Sequence, residues 1–402
     1  MGRQIPPRGD ILNELQIEIL RIIKRALADD FDEEINLNTA WDIIFKAGKE
    51  HKIIPILCEG LLNTNLDGRI KKVFLDEYKR QALAHFSQID KLEAVTNDFD
   101  KNNIDYMLLK GTRLKALYPK PEMRVMVDLD ILIKLEQYEK IKQCMTDLGL
   151  FEEYESDHEF IWSDKRLVHI ELHKRLFPSY NPDFCRYFGI GWERAKNHDP
   201  QKSSFELSPE DEYIFIFTHF AKHYRDGGIG IRHMLDLYLF AMHNPQMDSK
   251  YIESQLRELQ LFDFYKNVRH TLEVWFEGAE VSITDTLITN KIFGSGAYGT
   301  RESLDAAKAL RVTNRSKTTL GGRFRFILKS AFPSVSVAKD SFPILKRIPV
   351  LLPAVWILRL VKSVIFKKNA LKNVLSQAKS INDETVSSYR EELKSVGLGN
   401  EF

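Results

Sequence analysis

The stretch VMVDLDILI (residues 125–133) is the most strand-like in the chain, yet it contains two aspartates. A buried carboxylate without a partner is very costly, so a strand that only filled a core would not contain them. Residues two apart in a strand point to the same face. Asp128 and Asp130 are therefore predicted to project together. The opposite face is predicted to pack in the core through the apolar residues that alternate with them, Val127, Leu129 and Ile131.

A divalent cation is the simplest partner for two carboxylates held this close. Like charges repel unless a cation or a basic group lies between them. Mg²⁺ prefers carboxylate oxygens and shares its shell with substrate phosphates, and Mn²⁺ is an alternative. In VHIELH (168–173), alternation places His169, Glu171 and His173 on one face. If this strand lies beside the first, Glu171 completes a site of three carboxylates.

The turn LLKGT (108–112) supplies a candidate phosphate site. Gly111 permits a tight turn after a short strand, and a helix is predicted to begin at Thr112. Helix N-termini present free N–H groups and the positive end of the helix dipole, which suit a phosphate. Three basic residues nearby either stay solvated, order the loop or contact phosphate: Lys110, Arg113 and Arg124.

Helices surround these strand-like segments. Apolar residues recur at helical spacing over residues 10–95, and helices dominate again from about 205. IDYMLL (104–109) is predicted to be a strand, and EFIWS (159–163) is predicted to form a hairpin with LVHIEL (167–172). The fold class that follows is α+β, with a small mixed sheet embedded in N- and C-terminal helices.

A further helix, predicted to start at Pro209 with Ser208 as its N-cap, carries two histidines at i and i+4, His219 and His223. This spacing can hold zinc, but the glutamate of the HExxH motif is absent. The histidines are instead expected to face the site, in an outer shell or on the acceptor side, as is His173. Arg232 and Asp236 are also at i and i+4, and are predicted to form an ion pair within their helix.

Composition narrows the class of protein. The 402-residue chain is 44% hydrophobic with a formal charge of +1, so no overall field indicates nucleic-acid binding. Its three cysteines are far apart, which fits a reducing cytoplasm and argues against a zinc site. The N-terminus has no apolar signal core. The apolar window at 348–358 is shorter than the ~20 residues that a membrane span needs.

Charge is concentrated in one segment. Residues 310–372 contain 14 lysines or arginines and a single acid, Asp340. These cations either cover apolar helices with their aliphatic stems or form a contact surface for an anionic acceptor or membrane face. The protein is therefore expected to be cytoplasmic or peripheral at a membrane. The surface interpretation depends most on Arg359, Lys362, Lys367 and Lys368.

Taken together, the motifs resemble bacterial nucleotidyltransferase-family proteins of uncertain substrate, within the polymerase-beta-like nucleotidyltransferase superfamily. The resemblance covers residues 50–350 and rests on four segments: LLKGTRLKALYP (108–119), RVMVDLDILI (124–133), HIELH (169–173) and HFAKH…IRHMLDL (219–237). It implies a sheet of nucleotidyltransferase topology and four regions. These are N-terminal helices (1–95), the transferase core (96–180), acceptor-side helices (181–300) and basic C-terminal helices (301–402).

The resemblance also implies roles for individual residues. Gly111 and Thr112 would bind the triphosphate of an NTP, with Thr112 standing where the superfamily more often has Ser or Gly. Asp128, Asp130 and Glu171 would hold two Mg²⁺ ions. The acceptor stays open among small molecules, glycans and peptides. The alternatives are a non-enzymatic nucleotide-sensing or partner-binding module, and the transfer of another activated group such as a sugar phosphate.

Overall fold

The computed structural model comprises two compact units. The first is formed by Met1–Lys222 with Ile229–Tyr298, and the second by His223–Gly228 with Gly299–Phe402. The predicted division into four regions stays a prediction. The residues that the structure describes are 12–28, 41–62, 64, 67–166, 168–314, 328, 332, 342, 344–358 and 383–399.

Helices precede the sheet in the first unit, as the periodicity predicts. They are α1 (Glu14–Ala28), α2 (Trp41–Glu50), α3 (Ile54–Gly60) and α4 (Gly68–Lys101). The long helix α4 begins where the Asp67 side chain accepts a hydrogen bond from the backbone N–H of Arg69. Such a cap satisfies one of the free N–H groups of the first turn. Near the C-terminal end of α4, Leu92, Val95 and Phe99 belong to the same buried core cluster as the strand residues.

The sheet is mixed and has the strand order β1–β2–β5–β4–β3. Only β2 and β5 are parallel among its pairs; the other neighbours are antiparallel. The short helix α5 follows β1, and α6 follows β2. The bounds are β1 (Tyr106–Leu108), α5 (Lys110–Leu114), β2 (Asp128–Ile133), α6 (Tyr138–Asp147), β3 (Phe151–Glu155), β4 (Glu159–Ser163) and β5 (His169–His173).

One face of the sheet forms the core. Leu129 and Ile131 of β2 are fully buried, as predicted, and pack with Ile170 of β5 against residues of α4 and α6. Val127 was expected to join them, but β2 begins only at Asp128 and the Val127 side chain is 45% exposed. The two aspartates therefore lie at the start of the strand, on the face that the core helices leave uncovered.

The predicted hairpin is present, and it adds a strand that the sequence did not indicate. β4 and β5 pair antiparallel, with Glu159 opposite His173. β3 pairs with β4 at the edge of the sheet, and its residues 151–154 are exposed. An edge strand without a buried face shows no apolar alternation, so its sequence, FEEYE, does not have a strand pattern.

Helices complete the first unit after the sheet. The Ser208 hydroxyl accepts the N–H of Asp211 at 3.1 Å, and α8 begins at Pro209, both as predicted. The fold class is therefore confirmed as α+β with helices on both sides of one small mixed sheet. The helices are α7 (Pro182–Phe188), α8 (Pro209–Arg225), α9 (Ile231–His243), α10 (Ser249–Glu258), α11 (Phe262–Phe276) and α12 (Ile283–Ser295). The last three residues of α8 belong to the second unit.

The second unit is helical in its described parts. It contains α13 (Arg301–Asn314), α14 (Ile344–Arg347) and α15 (Asp383–Ser395), and residues 352–358 are also helical. Among the described residues, no helix combines the length and apolar character that a membrane crossing requires. The residues on which the anionic-surface interpretation most depends lie outside the described part: Arg359, Lys362, Lys367 and Lys368.

Candidate functional site

The parallel pair of β2 and β5 brings the predicted acidic residues together. Asp130 lies directly opposite Glu171, and Asp128 lies opposite His169. Since alternate residues share a face, Asp128, Asp130 and Glu171 project from the same side of neighbouring strands. The condition set by the sequence, that the HIELH strand lies beside the aspartate strand, is met.

Asp130 is the most enclosed member of this cluster, with 5% of its surface exposed. Its Oδ1 lies 2.6 Å from Lys110 Nζ and 2.8 Å from His173 Nε2. Burial alone would raise the pKa of Asp130, but the charge of Lys110 and the hydrogen bond from His173 hold it below its usual range. Asp130 is therefore an ionised carboxylate with two cationic or hydrogen-bonding neighbours.

Asp128 behaves differently because its neighbours are acidic. Burial raises its pKa, and the charges of Asp130 and Glu171 raise it further, to about 7. The Lys110 ammonium partly offsets this crowding, and the same acidic residues raise the pKa of Lys110 despite its burial. An added cation would stabilise this cluster, because it would favour the ionised form of Asp128.

The donor atoms fit a divalent metal ion. Asp130, Glu171 and His173 each offer one ligand atom, and these atoms lie within 4.8 Å of one another. Within the described part of the chain this group does not include Asp128, and the roles of Asp128, Asp130 and Glu171 as metal ligands stay predictions. The Nε2 of His173 lies 3.5 Å from Glu171 Oε2 as well as 2.8 Å from Asp130 Oδ1, and the predicted outer-shell role of His173 stays a prediction. Carboxylate oxygens are the ligands that Mg²⁺ and Mn²⁺ prefer.

The turn after β1 is joined directly to Asp130. β1 ends at Leu108, opposite Ile131, so Asp130 has no strand neighbour on that side. The Thr112 hydroxyl accepts the Asp130 N–H at 3.0 Å, and the Leu109 N–H donates to the Asp130 carbonyl, also at 3.0 Å. The turn thus replaces the missing strand and fixes the backbone of the carboxylate that it faces.

Close packing explains the glycine in this turn. Lys110 has a φ of +47°, a left-handed conformation that is uncommon for a residue with a side chain. A Cβ on Gly111 would meet Arg124 Nη1 and would lie 3.1 Å from the sulfur of Met126. Any larger residue at position 111 would therefore push against the Arg124 guanidinium.

Arg124 is held in place by an acid from α9. Its Nε and Nη2 donate to the two carboxylate oxygens of Asp236, each at 2.7 Å, and the Tyr118 hydroxyl adds a third bond at 2.8 Å. The predicted pair within α9 is therefore wrong, because Asp236 bonds to Arg124 and Arg232 donates instead to the carbonyl of Val125. Arg124 has the ordering role that its position suggested, and its contact with phosphate stays a prediction.

Arg113 is also ion-paired. Its Nε lies 2.7 Å from Glu212 Oε2, and its Nη2 lies 3.0 Å from Glu206 Oε2. Burial raises the pKa of Glu212 to about 7, although the Arg113 charge opposes the shift. A contact between Arg113 and a nucleotide would require the arginine to leave one of these glutamates.

The histidines of α8 are the remaining predicted site residues. The ring of His219 lies 6.3 Å from that of Phe215, one turn earlier in the helix. The acceptor-side role of His219 and His223 stays a prediction. Sequence reasoning missed two contacts, that of Asp236 with Arg124 and that of Glu159 with His173. The spacing of these residues along the chain does not predict either contact. The register of the predicted hairpin could have suggested the pairing of Glu159 with His173.

The small mixed sheet, with Asp-x-Asp on one strand and a third acid on the parallel neighbour, defines the class as nucleotidyltransferase-like. The chain belongs to the family described as uncharacterised nucleotidyltransferase, whose model matches residues 38–277. This range is more than half of the chain and confirms the resemblance to nucleotidyltransferases of unknown substrate. No curated protein and no solved structure matches the chain. Membership of the family supports a general role in nucleotidyl transfer and implies an NTP substrate.

Proposed function

We propose that the protein transfers a nucleotidyl group from an NTP to a hydroxyl or phosphate acceptor, with Mg²⁺ or Mn²⁺ held by Asp128, Asp130 and Glu171. The observation that carries this proposal is the direct pairing of Asp130 with Glu171 on parallel strands. The crowding that raises the pKa of Asp128 to about 7 supports a cation at the same place.

Each residue has a distinct task in this proposal. When bound, divalent ions would neutralise the leaving pyrophosphate and lower the pKa of the acceptor hydroxyl. Glu171, the less buried partner of Asp130, would accept the acceptor's proton. The Nε2–H of His173 fixes the Asp130 carboxylate, and Lys110 supplies positive charge beside it.

The turn beside Asp130 is the proposed triphosphate site. Gly111 and Thr112 lie in the first turn of α5, which begins at Lys110, two residues before the predicted start. The Thr112 oxygen accepts the Asp130 N–H, which leaves the hydroxyl proton to donate to phosphate. Lys110, Arg113 and Arg124 are the proposed basic contacts. Arg113 could contact phosphate only after exchanging a glutamate partner for it. Arg124 lies against Gly111 and thereby supports the turn.

The proposed acceptor side includes the histidines of α8. A small molecule, a glycan or a peptide would approach the cluster, with His219 and His223 as candidate contacts. The basic segment 310–372 is a candidate surface for an anionic acceptor or an anionic membrane face. These assignments follow from charge and from the position of the histidines on α8.

A thermal-shift screen tests the proposal directly. The full chain is heated with each of the four NTPs, and with several nucleotide sugars, with and without Mg²⁺. A ligand at 100 times its dissociation constant stabilises a protein by ~2.7 kcal/mol, so binding raises the melting temperature. We expect stabilisation by at least one NTP that depends on Mg²⁺. Stabilisation without metal would favour a sensing module, and stabilisation by nucleotide sugars alone would favour transfer of another group.

Substitution of the cluster separates binding from turnover. Asp130→Asn is nearly isosteric and is expected to reduce Mg²⁺-dependent pyrophosphate release by ~100-fold or more, because several kcal/mol of charge stabilisation are lost. Glu171→Gln is expected to lower turnover more than NTP affinity. The matched controls are Asp90→Asn, at a side chain that is 77% exposed, and Glu153→Gln on β3. Wild-type release by Asp130→Asn at saturating Mg²⁺ would contradict the proposal.

A further inference from the structure

A second group of ligand-type side chains lies on the same sheet face, farther along β5. Glu159 begins β4 directly opposite His173, and His158 precedes it. The Nε2 of His158 lies 2.9 Å from Glu159 Oε2, and the Nδ1 of His173 lies 3.8 Å from the same oxygen. One donor atom from each of the three residues lies within 4.8 Å of the others.

The Nδ1 atom of His173 is the unusual member of this group. The His173 side chain is 2% exposed, and no hydrogen-bond partner for its Nδ1 exists among the described residues. Its Nε2 faces the Asp130 carboxylate, which can only accept, so the ring proton of a neutral His173 lies on Nε2. Nδ1 then carries a lone pair that faces the carboxylate of Glu159. A buried nitrogen lone pair that lies 3.8 Å from a carboxylate oxygen needs a cation between the two atoms.

No lysine supplies that cation at Glu159 within the described contacts. Lys174, next to His173 in the chain, donates instead to Glu155 Oε1 and to the carbonyl of Ser156, each at 2.8 Å. Lys110 contacts Asp130 on the other side of the His173 ring. Within these contacts, the cation between His173 Nδ1 and Glu159 is therefore either a proton or a metal ion.

Both histidines already have the outer partners that metal-binding histidines require. His158 Nδ1 lies 3.2 Å from the Ser156 hydroxyl and 3.5 Å from Asp157 Oδ1. His173 has Asp130 on its Nε2. A carboxylate or hydroxyl on the second ring nitrogen fixes the tautomer and the ring orientation, and is typical of histidines that ligate a metal.

We propose that His158 Nε2, Glu159 and His173 Nδ1 form a binding site for a divalent transition-metal ion such as Zn²⁺, separate from the carboxylate cluster. Two imidazoles and one carboxylate are a common zinc set, and three protein ligands leave a position for water. The site needs no cysteine, so the scattered cysteines do not argue against it. Imidazole ligands favour transition metals over Mg²⁺, whereas the neighbouring carboxylates favour Mg²⁺.

This site would make His173 a positioning residue for the carboxylate cluster. Its imidazole would lie between the transition metal on Nδ1 and Asp130 on Nε2. A metal on Nδ1 keeps the ring neutral and its remaining proton on Nε2, so the hydrogen bond to Asp130 is retained. A metal ion bound at the second site would therefore be linked to the Asp130 carboxylate through the imidazole ring of His173.

Cobalt titration of the metal-stripped full chain tests the proposal. Co²⁺ bound by nitrogen and oxygen ligands in a four- or five-coordinate site absorbs visible light, and excess Mg²⁺ is present to occupy the carboxylate cluster. We expect one Co²⁺ per chain, with competition by Zn²⁺ measured by equilibrium dialysis. His158→Ala and Glu159→Gln should each weaken Co²⁺ binding by ~10-fold or more, since even outer partners contribute 10- to 100-fold to metal affinity.

Three further variants make the outcome specific. His198→Ala removes an exposed histidine and Glu153→Gln an exposed glutamate, and both should bind Co²⁺ as the wild type does. Glu171→Gln should also retain Co²⁺ although it impairs the proposed NTP reaction, so failure of the proposed function leaves this proposal intact. Unchanged Co²⁺ affinity in both His158→Ala and Glu159→Gln would overturn it, as would loss of the signal in Glu171→Gln alone.

Discussion

Asp128 and Asp130 lie two residues apart on one strand face, yet their carboxyl groups are held in different states. Asp130 is buried between Lys110 and His173, which keep its pKa low. Asp128 has acidic neighbours, which together with burial raise its pKa to about 7. The difference arises from which side chains lie nearest, because the spacing along the strand treats the two aspartates alike.

The backbone N–H of Asp130 donates to the hydroxyl of Thr112. Thr112→Val would leave the buried Asp130 N–H without its acceptor, and we expect the free energy of unfolding to fall by ~1–3 kcal/mol. Thr112→Ser keeps the acceptor and loses only a methyl group, worth ~0.8 kcal/mol. Urea denaturation measures both. A valine variant that is no less stable than the serine variant would show that this hydrogen bond contributes little.

At the scale of elements, the site is assembled by contacts between segments that are distant in sequence. α9 contacts the loop before β2 through Asp236, whose carboxylate accepts hydrogen bonds from Nε and Nη2 of Arg124. Arg124 in turn lies against Gly111 in the turn after β1. The orientation of the proposed phosphate turn thus depends on a helix that begins at Ile231.

The Arg124–Asp236 pair is expected to be strongly coupled. Arg124 and Asp236 are 5% and 2% exposed, so Asp236→Asn would leave the buried Arg124 guanidinium without a negatively charged partner. We expect the free energy of unfolding to fall by ~3–5 kcal/mol. The double variant Arg124→Met with Asp236→Leu should lose less than the sum of its two single variants, as a double-mutant cycle in urea measures.

An exposed ion pair provides the comparison for this cycle. Lys266 and Asp263 form a bridge at 3.0 Å on the surface of α11, with side chains that are 55% and 73% exposed. Asp263→Asn is expected to cost below ~1 kcal/mol, because solvent screens exposed charges. Equal losses from Asp263→Asn and Asp236→Asn would mean that burial of the Arg124 pair adds no coupling.

At the scale of the whole molecule, one buried lysine is expected to shape the dependence of stability on pH. Lys115 is 4% exposed, and its Nζ has no hydrogen-bond partner among the described residues. Burial and the nearby Arg124 charge lower the pKa of Lys115 from 10.5 to about 7. Between these two values the unfolded chain binds a proton that the folded chain does not. Stability should therefore rise with pH across this window.

Replacing this lysine should remove the effect. Lys115→Met is expected to raise the free energy of unfolding at pH 7 by ~2–4 kcal/mol and to flatten the rise between pH 7 and pH 10. Lys140→Met, at an exposed lysine of α6, is the control and should leave the slope unchanged. Melting temperatures measured at pH 7, 8, 9 and 10 decide the matter. If the Lys115→Met variant keeps the wild-type dependence of stability on pH, a group other than Lys115 titrates in this range.

Local pattern determined much of this protein. Alternation along β2 and β5 predicted which residues face the core and which face the site, because side-chain direction in a strand has a period of two. The glycine and threonine after β1 predicted a turn, and Ser208 with Pro209 predicted the start of α8. The family followed from the same motifs. Where alternation was absent, as in the exposed edge strand β3, the strand was missed.

Tertiary structure alone decided which charges meet. Asp130 bonds to His173, 43 residues away, and Arg124 bonds to Asp236, 112 residues away. Arg232 was the nearer candidate along the helix, but the packed fold offered Asp236 a buried partner that could donate two bonds at once. The pKa values of the aspartates and the position of Glu159 opposite His173 were settled in the same way. Sequence spacing specifies the face on which a side chain lies, whereas its neighbours on that face come from segments that only the folded chain brings together.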